Sequence, residues 1–245
     1  MPFTLSHPAA VLLLGGTGLP VAAMVAGSMA PDVPMFVHVP GSYGVTHSLL
    51  GVVTVDVFLG TFFTVVWFGL LRDALVDVAP AGVRERLAET ARYSRRQWLL
   101  VPAAVAFGSL THVVWDMFTH PHRWGARNVG WLQEVHAGLP GSAWAQYVTG
   151  VLGLVLAGAV GVRYLGRRPR TTRPPRVPEL GVIALAGVLL GTALLAGFVA
   201  LSHASEGLHA MAFHGAVLGT ISLVVGLLAL ATLWKLRAWR VLERV

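Results

Sequence analysis

Residues 111–122 read THVVWDMFTHPH and close a stretch, 98–118, that is apolar enough for a lipid bilayer yet carries His112 and Asp116. Four residues apart on a helix, these two side chains share one face about a turn apart, so they can ligate one cation or share one proton. Ionisable groups in the hydrocarbon layer are costly, and those retained there are functional by default. The plainer alternative is that the pair only satisfies itself between helices. His120 continues the face, but at a rise of ~1.5 Å per residue it stands ~12 Å from His112 and cannot reach the same ion unless the helix ends or bends first. His120 and His122 therefore read as groups behind the ligands, as a second site, or as headgroup contacts.

Three further stretches carry the same chemistry. In THSLL, 46–50, Thr46 is positioned as a helix N-cap, which sets His47 in the first turn of an apolar run. In GSMAPDVP, 27–34, Asp32 lies between two prolines, where the helix is expected to stop. In FTLSHP, 3–8, His7 immediately precedes the first apolar run. Read alone, His47 is an interfacial histidine and Asp32 a turn former; convergence with His112 and Asp116 is what makes them a site. Two or three imidazoles with one or two carboxylates form the ligand set of a hydrolytic zinc or manganese centre, where the ion brings a water into the range of neutral pH. The expected ligands are His7, Asp32, His47, His112 and Asp116, with Asp32 or Asp116 also the candidate general base.

Other polar groups have plainer readings. Asp56, in mid-helix, is expected to make a packing contact, the alternative being a proton relay. His203, His209, His214 and Glu206, within SHASEGLHAMAFH at 202–214, read as solvated loop groups or as a cover over the site. His38 and His136 read as solvated.

The elements that must position these residues are membrane helices. Of 245 residues, 55% are hydrophobic and 12% charged, with a mean hydropathy of +0.69, about half the ~25% charged residues of a soluble domain. There is no cysteine, so a disulfide framework and a thiolate metal site are both excluded. Five runs reach the ~20 apolar residues that a span needs: about 47–71, 98–119, 144–165, 180–201 and 211–234. The formal charge is +7, yet of 18 basic residues only Arg123 and Arg127 fall outside the blocks 72–97, 163–176 and the tail after Trp234. A nucleic-acid binder would gather them on one face; here they occupy alternate gaps, as the positive-inside rule demands. The expected topology puts 72–97, 166–178 and the C-terminus in the cytoplasm and the site toward the outer face of a plasma membrane, with the bilayer as partner and no nucleic acid. Segment 80–97 is expected to be an amphipathic surface helix. The fold class is therefore all-α and multipass, with domains at 1–165, carrying the site, and 179–245, joined by an Arg/Pro-rich linker at 166–178. For 8–30 the sequence leaves a fork: one span, or a re-entrant hairpin broken at GGTGLP, 15–20. A hairpin brings His7 to Asp32; a single span separates them.

The opening MPFTLSHPAAVL, with GSMAPD and THSLLG after it, resembles the bacterial integral membrane family known as domain of unknown function 4184. More distantly, the order His, Pro-Asp, Thr-His-Ser-Leu-Leu, then Thr-His-x-x-x-Asp-x-x-Thr is similar to inner-membrane proteins held to be metal-dependent hydrolases. The resemblance implies a metal site at His7, Asp32, His47, His112 and Asp116, with Thr119 behind it, and favours the hairpin. The chain departs from that pattern at Pro34, where a second acid is expected, and in SYGVTHS, 42–48, which lacks a further histidine; both are ligands that a second ion would use. The reading that results is a zinc-dependent or manganese-dependent hydrolase acting on an ester or phosphoester of a lipid or lipid-linked substrate. The alternatives are a transporter or metal-handling permease, and a non-catalytic protein with a structural metal.

Overall fold

Apolar runs of this length in a solvent without hydrogen-bonding partners must satisfy their backbone internally, and helices are the form that does so within one segment. The computed structural model describes residues 4–14, 16–37 and 39–242, and it is helical almost throughout; His38 lies outside the described residues. Two short helices, α1 (Pro8–Leu13) and α2 (Val21–Met29), come first. They are followed by α3 (Ser42–Thr46) and by α4, the long run Leu49–Val78. Next come α5 (Arg95–Thr119), α6 (Gly141–Gly166), α7 (Val182–Ser202) and α8 (Leu208–Leu242). Five helices are long and apolar enough to cross a membrane. A small antiparallel pair, Val135–His136 with Leu139–Pro140, precedes α6.

The fork at 8–30 resolves as a hairpin, because the helix ends after Leu13 and restarts at Val21. Between them Gly18 has φ +75°, a backbone state open to glycine at no steric cost. No α-helix continues through Asp32, as expected: α2 ends at Met29, Ala30–Asp32 makes a 3-10 turn, and a separate short helix, Val33–Val37, follows. Pro31 and Pro34 each fall near the start of their element, where the missing N–H has no partner to lose.

The chain forms two compact units, Phe3–Thr64 with Tyr93–Val162, and Val65–Arg92 with Arg163–Val245. In the first, α2 packs along α5 around buried Val11, Ala23, Met24, Val101, Ala104 and Val105. The approach is so close that a Cβ on Gly27 would lie 2.2 Å from the Val105 carbonyl oxygen, and one on Gly108 2.0 Å from that of Met24. Such small-residue contacts replace the hydrophobic drive that a lipid solvent cannot supply. Helix α5 begins at a capping box of Ser94 and Gln97 and ends where His120 turns extended before Pro121.

In the second unit Asp77 accepts the backbone N–H of Arg176, at 2.9 and 3.0 Å, that of Val177, at 3.2 Å, and the indole N–H of Trp234, at 2.8 Å. The Arg/Pro-rich segment is non-helical at 167–177, and Val177 is fully buried. The surface helix expected over 80–97 is confined to Ala81–Arg84. Beyond it the Arg72 guanidinium takes the Ala88 and Glu89 carbonyls, at 2.5 and 2.8 Å, as its acceptors.

Gly108→Val is expected to overpack the α2–α5 contact at a cost of about 1–3 kcal/mol, read as a lowered thermal midpoint in detergent. Gly158→Ala on α6, where an added Cβ would meet no atom within 4 Å, should not lower the midpoint, since alanine is the better helix former.

Candidate metal centre

His112 and Asp116 lie in the last two turns of α5, both buried, on the face turned to α2. The Nδ1–H of His112 donates to the Ser28 carbonyl at 2.8 Å. A carbonyl can only accept, so the proton is on Nδ1, and Nε2 presents its lone pair in the neutral ring. His47 repeats this arrangement: it caps α3, and its Nδ1–H donates to the Tyr43 carbonyl at 2.9 Å. Thr46 does not cap the following helix. Its hydroxyl donates to the Pro31 carbonyl at 2.8 Å and so fastens α3 to the turn that bears Asp32. The cap of α4 is Ser48, which accepts the Gly51 N–H at 3.0 Å.

Four side chains then meet. Asp116 Oδ2 stands 3.4 Å from both His47 Nε2 and His112 Nε2. Asp32 Oδ1 stands 3.5 Å from His112 Nε2 and 3.9 Å from His47 Nε2. One ligand atom from each of Asp32, His47, His112 and Asp116 lies within 4.8 Å of all the others, and all four residues are buried. His47 Nε2, His112 Nε2 and Asp116 Oδ2 have no hydrogen-bond partner.

Bare imidazole nitrogens facing carboxylate oxygens in a buried place are repulsive unless a cation lies between them. A proton would draw each pair to the ~2.7–2.9 Å of a charge-assisted hydrogen bond, which these separations exceed. With metal–ligand distances of roughly 2.0–2.2 Å, the edge of a tetrahedron of nitrogen and oxygen ligands is roughly 3.3–3.6 Å, and three of the four separations fall in that range. The donor set fits a divalent ion, and the group could hold one.

The surrounding contacts hold the donors in place. Thr4 donates to Asp32 Oδ2 at 2.5 Å, leaving Oδ1 to face the histidines. Asp116 Oδ1, turned away from the four-atom group, faces His120 Nδ1 at 3.3 Å and His7 Nε2 at 3.7 Å. His120 stands one turn beyond Asp116, at i, i+4, and its Nε2 pairs with the Gln146 amide at 3.1 Å. Thr119 lies 3.5 Å from Asp116 Oδ1 but bonds more closely to the Trp115 carbonyl, at 3.3 Å. His7 is buried and its ring stacks on His112 with centroids 3.7 Å apart. It sits beside the four-atom group and faces the other oxygen of Asp116, while its Nδ1 has no partner. His122 is exposed, in a left-handed turn with φ 68°, outside the cluster.

Several supports were not visible in the residue pattern. The Ser28 and Tyr43 carbonyls belong to the backbone and carry no sequence signal. Thr4 and Gln146 act across 28 and 26 positions. The Tyr43 ring stacks on His47 at 3.9 Å, an i, i+4 spacing that could have been read. Burial, and then the charges of Asp116 and Asp32, push the Tyr43 phenol up, so it stays protonated. Asp56 finds its partner in Ser109, which donates at 2.5 Å. His136 stacks on Trp131 at 4.7 Å, away from these residues in sequence.

The purified protein is expected to hold about one tightly bound divalent ion per chain, counted by elemental analysis, and chelation should lower its thermal midpoint because binding stabilises only the folded state. His112→Ala should abolish that ion; wild-type metal content in this variant would rule the centre out. Gln146→Ala should weaken metal affinity about 10–100-fold through His120 and Asp116, the usual cost of losing a group behind a ligand.

No curated protein and no solved structure matches the chain. Residues 1–233 match the family described as Domain of unknown function (DUF4184). That match takes in the hairpin, α3 and α5, and with them every residue of the four-atom group. This helical membrane-type protein with a buried Asp/His cluster belongs to the DUF4184 family.

Proposed function

We propose that the protein is a metal-dependent hydrolase, with zinc the favoured ion and manganese the alternative, acting on a phosphoester of a lipid or lipid-linked substrate at the outer face of the plasma membrane. The observation that carries this reading is the set of unpartnered Nε2 and carboxylate atoms at tetrahedral spacing. An ion held there lowers the pKa of a water toward neutrality and polarises the substrate oxygen.

The chain's own groups divide the remaining work. Asp116 Oδ2 makes the two shortest contacts in the four-atom group, 3.4 Å to His47 and to His112, and these three residues are the ligands. Asp32, with the longest separation at 3.9 Å, is the carboxylate available as general base, since a catalytic site keeps one position open. His7, stacked on His112 with a free Nδ1, is placed to carry a proton. Arg123 supports a phosphoester over a carboxylic ester. Its guanidinium lies 5.7 Å from the Tyr43 ring, which itself stacks on His47, and it has no ion pair among the described residues. An apolar pocket of about 410 Å³ supports a lipid substrate; it is lined by Ala10, Leu110, Thr111, Val114, Trp115 and Phe118. Trp115 meets the His7 ring edge-on at 5.3 Å. The count of basic residues supports the outward orientation.

The complete burial of the four donors favours a second reading, a structural ion that ties the N-terminal hairpin to α5. The transporter alternative rests on Asp56, an intramembrane acid away from the cluster, of which Ser109 engages Oδ2 and leaves Oδ1 without a partner.

A screen of lipid phosphomonoesters, phosphodiesters and carboxylic esters in nanodiscs separates these readings. Expected is zinc-dependent turnover of a phosphoester, with Asp32→Asn retaining metal while kcat falls about 10²–10⁴-fold. Arg123→Ala should raise KM for that substrate about tenfold. A metal-loaded protein that hydrolyses none of them overturns the enzyme and leaves the structural tie. Flux that depends on Asp56, abolished by Asp56→Asn, would favour transport.

A further inference from the structure

The second unit holds another group of metal-binding side chains. Helices α7 and α8 form a hairpin whose connection, 203–207, contains a 3-10 turn at Ala204–Glu206 and Gly207 at φ +99°. Near that connection the helices touch through small residues. A Cβ on Gly215 would lie 2.9 Å from both the Ala196 carbonyl oxygen and the Ala200 methyl, and one on Gly219 would lie 2.9 Å from the Ala196 methyl. His203 follows Ala200 by three positions and His214 precedes Gly215, so this seam brings their rings together. They stack at 3.9 Å, with planes 15° apart.

Stacking two imidazoles explains neither the tautomer nor the acid beside them. His203 Nδ1–H donates to the Val199 carbonyl at 2.9 Å, so Nε2 carries the lone pair. That atom faces Glu206 Oε1 at 4.0 Å, too far for a hydrogen bond. One ligand atom from each of His203, Glu206 and His214 lies within 4.8 Å of the other two. The His203 side chain is 28% exposed and that of Glu206 57%, so the carboxylate can swing inward by a fraction of an ångström without repacking.

We infer that His203, Glu206 and His214 form a second metal site, a partly exposed one that takes a divalent transition ion such as Cu²⁺ or Zn²⁺ and clamps the α7–α8 connection. Two imidazoles and one carboxylate suit these borderline ions over Mg²⁺ or Ca²⁺. Three protein ligands leave coordination positions for water or an outside anion. Exposure makes the site exchangeable, unlike the buried centre in the other unit, and nothing in its geometry depends on that centre or on catalysis.

Cu²⁺ titration of the full-length protein in detergent, followed by electron paramagnetic resonance and elemental analysis, tests this. Copper serves as the probe because it stands at the top of the divalent affinity order. Expected in wild type is an equivalent that a brief chelator wash removes, with nitrogen hyperfine structure. The His203→Ala/His214→Ala double variant should lose it. Glu206→Gln, an exposed change that leaves the helices intact, should weaken it at least about tenfold, by comparison with the 10–100-fold cost of losing a group behind a ligand. His112→Ala should retain it, so failure of the buried centre and failure of this site are read separately. A wild-type protein without a washable equivalent, or variants that bind it as tightly as wild type, overturns the inference.

Discussion

The contact between α2 and α5 sets everything else in the first unit. Gly27 and Gly108 leave no room for a methyl group between the two backbones, and only at that separation does the Ser28 carbonyl reach His112 Nδ1. That bond fixes the tautomer and turns Nε2 toward Asp32 and Asp116. A small increase in the distance between the helices would leave the imidazole free to rotate, and the donor set would lose its geometry. The glycines are thus part of the site although they touch no ion.

The histidines share one design. In His47 and His112 a backbone carbonyl takes the Nδ1 proton, so the ring is oriented before any ligand arrives and no reorganisation is needed on binding. The carboxylates are held on their far sides, Asp32 by Thr4 and Asp116 by His120. His203 uses the same carbonyl device on the other unit, there with an exposed carboxylate and fewer ligands. Burial distinguishes the two places. A buried set of unpaired polar atoms is expensive unless a cation occupies it, whereas an exposed set can be solvated when empty.

Departures from the sequence reading occur where one residue type has two uses. Thr46 fits an N-cap by position, but its hydroxyl goes to the Pro31 carbonyl and the cap passes to Ser48. The charged segment 80–97 has helical spacing, yet Arg72 takes its carbonyls out of helical use.

By itself the sequence determined the class of the molecule, since runs of apolar residues longer than a bilayer is thick admit only spanning helices. It also determined which side chains could ligate, because imidazole and carboxylate are the side chains there that bind divalent ions strongly, there being no cysteine. Tertiary structure alone decided which donors meet. Asp32, His47, His112 and Asp116 come from three separate stretches whose convergence depends on helix crossings of sub-ångström tolerance. It alone decided that His7 faces the far oxygen of Asp116, and that backbone carbonyls, which every residue carries, orient both histidines. Local pattern encodes the donors; their geometry is a property of long-range packing.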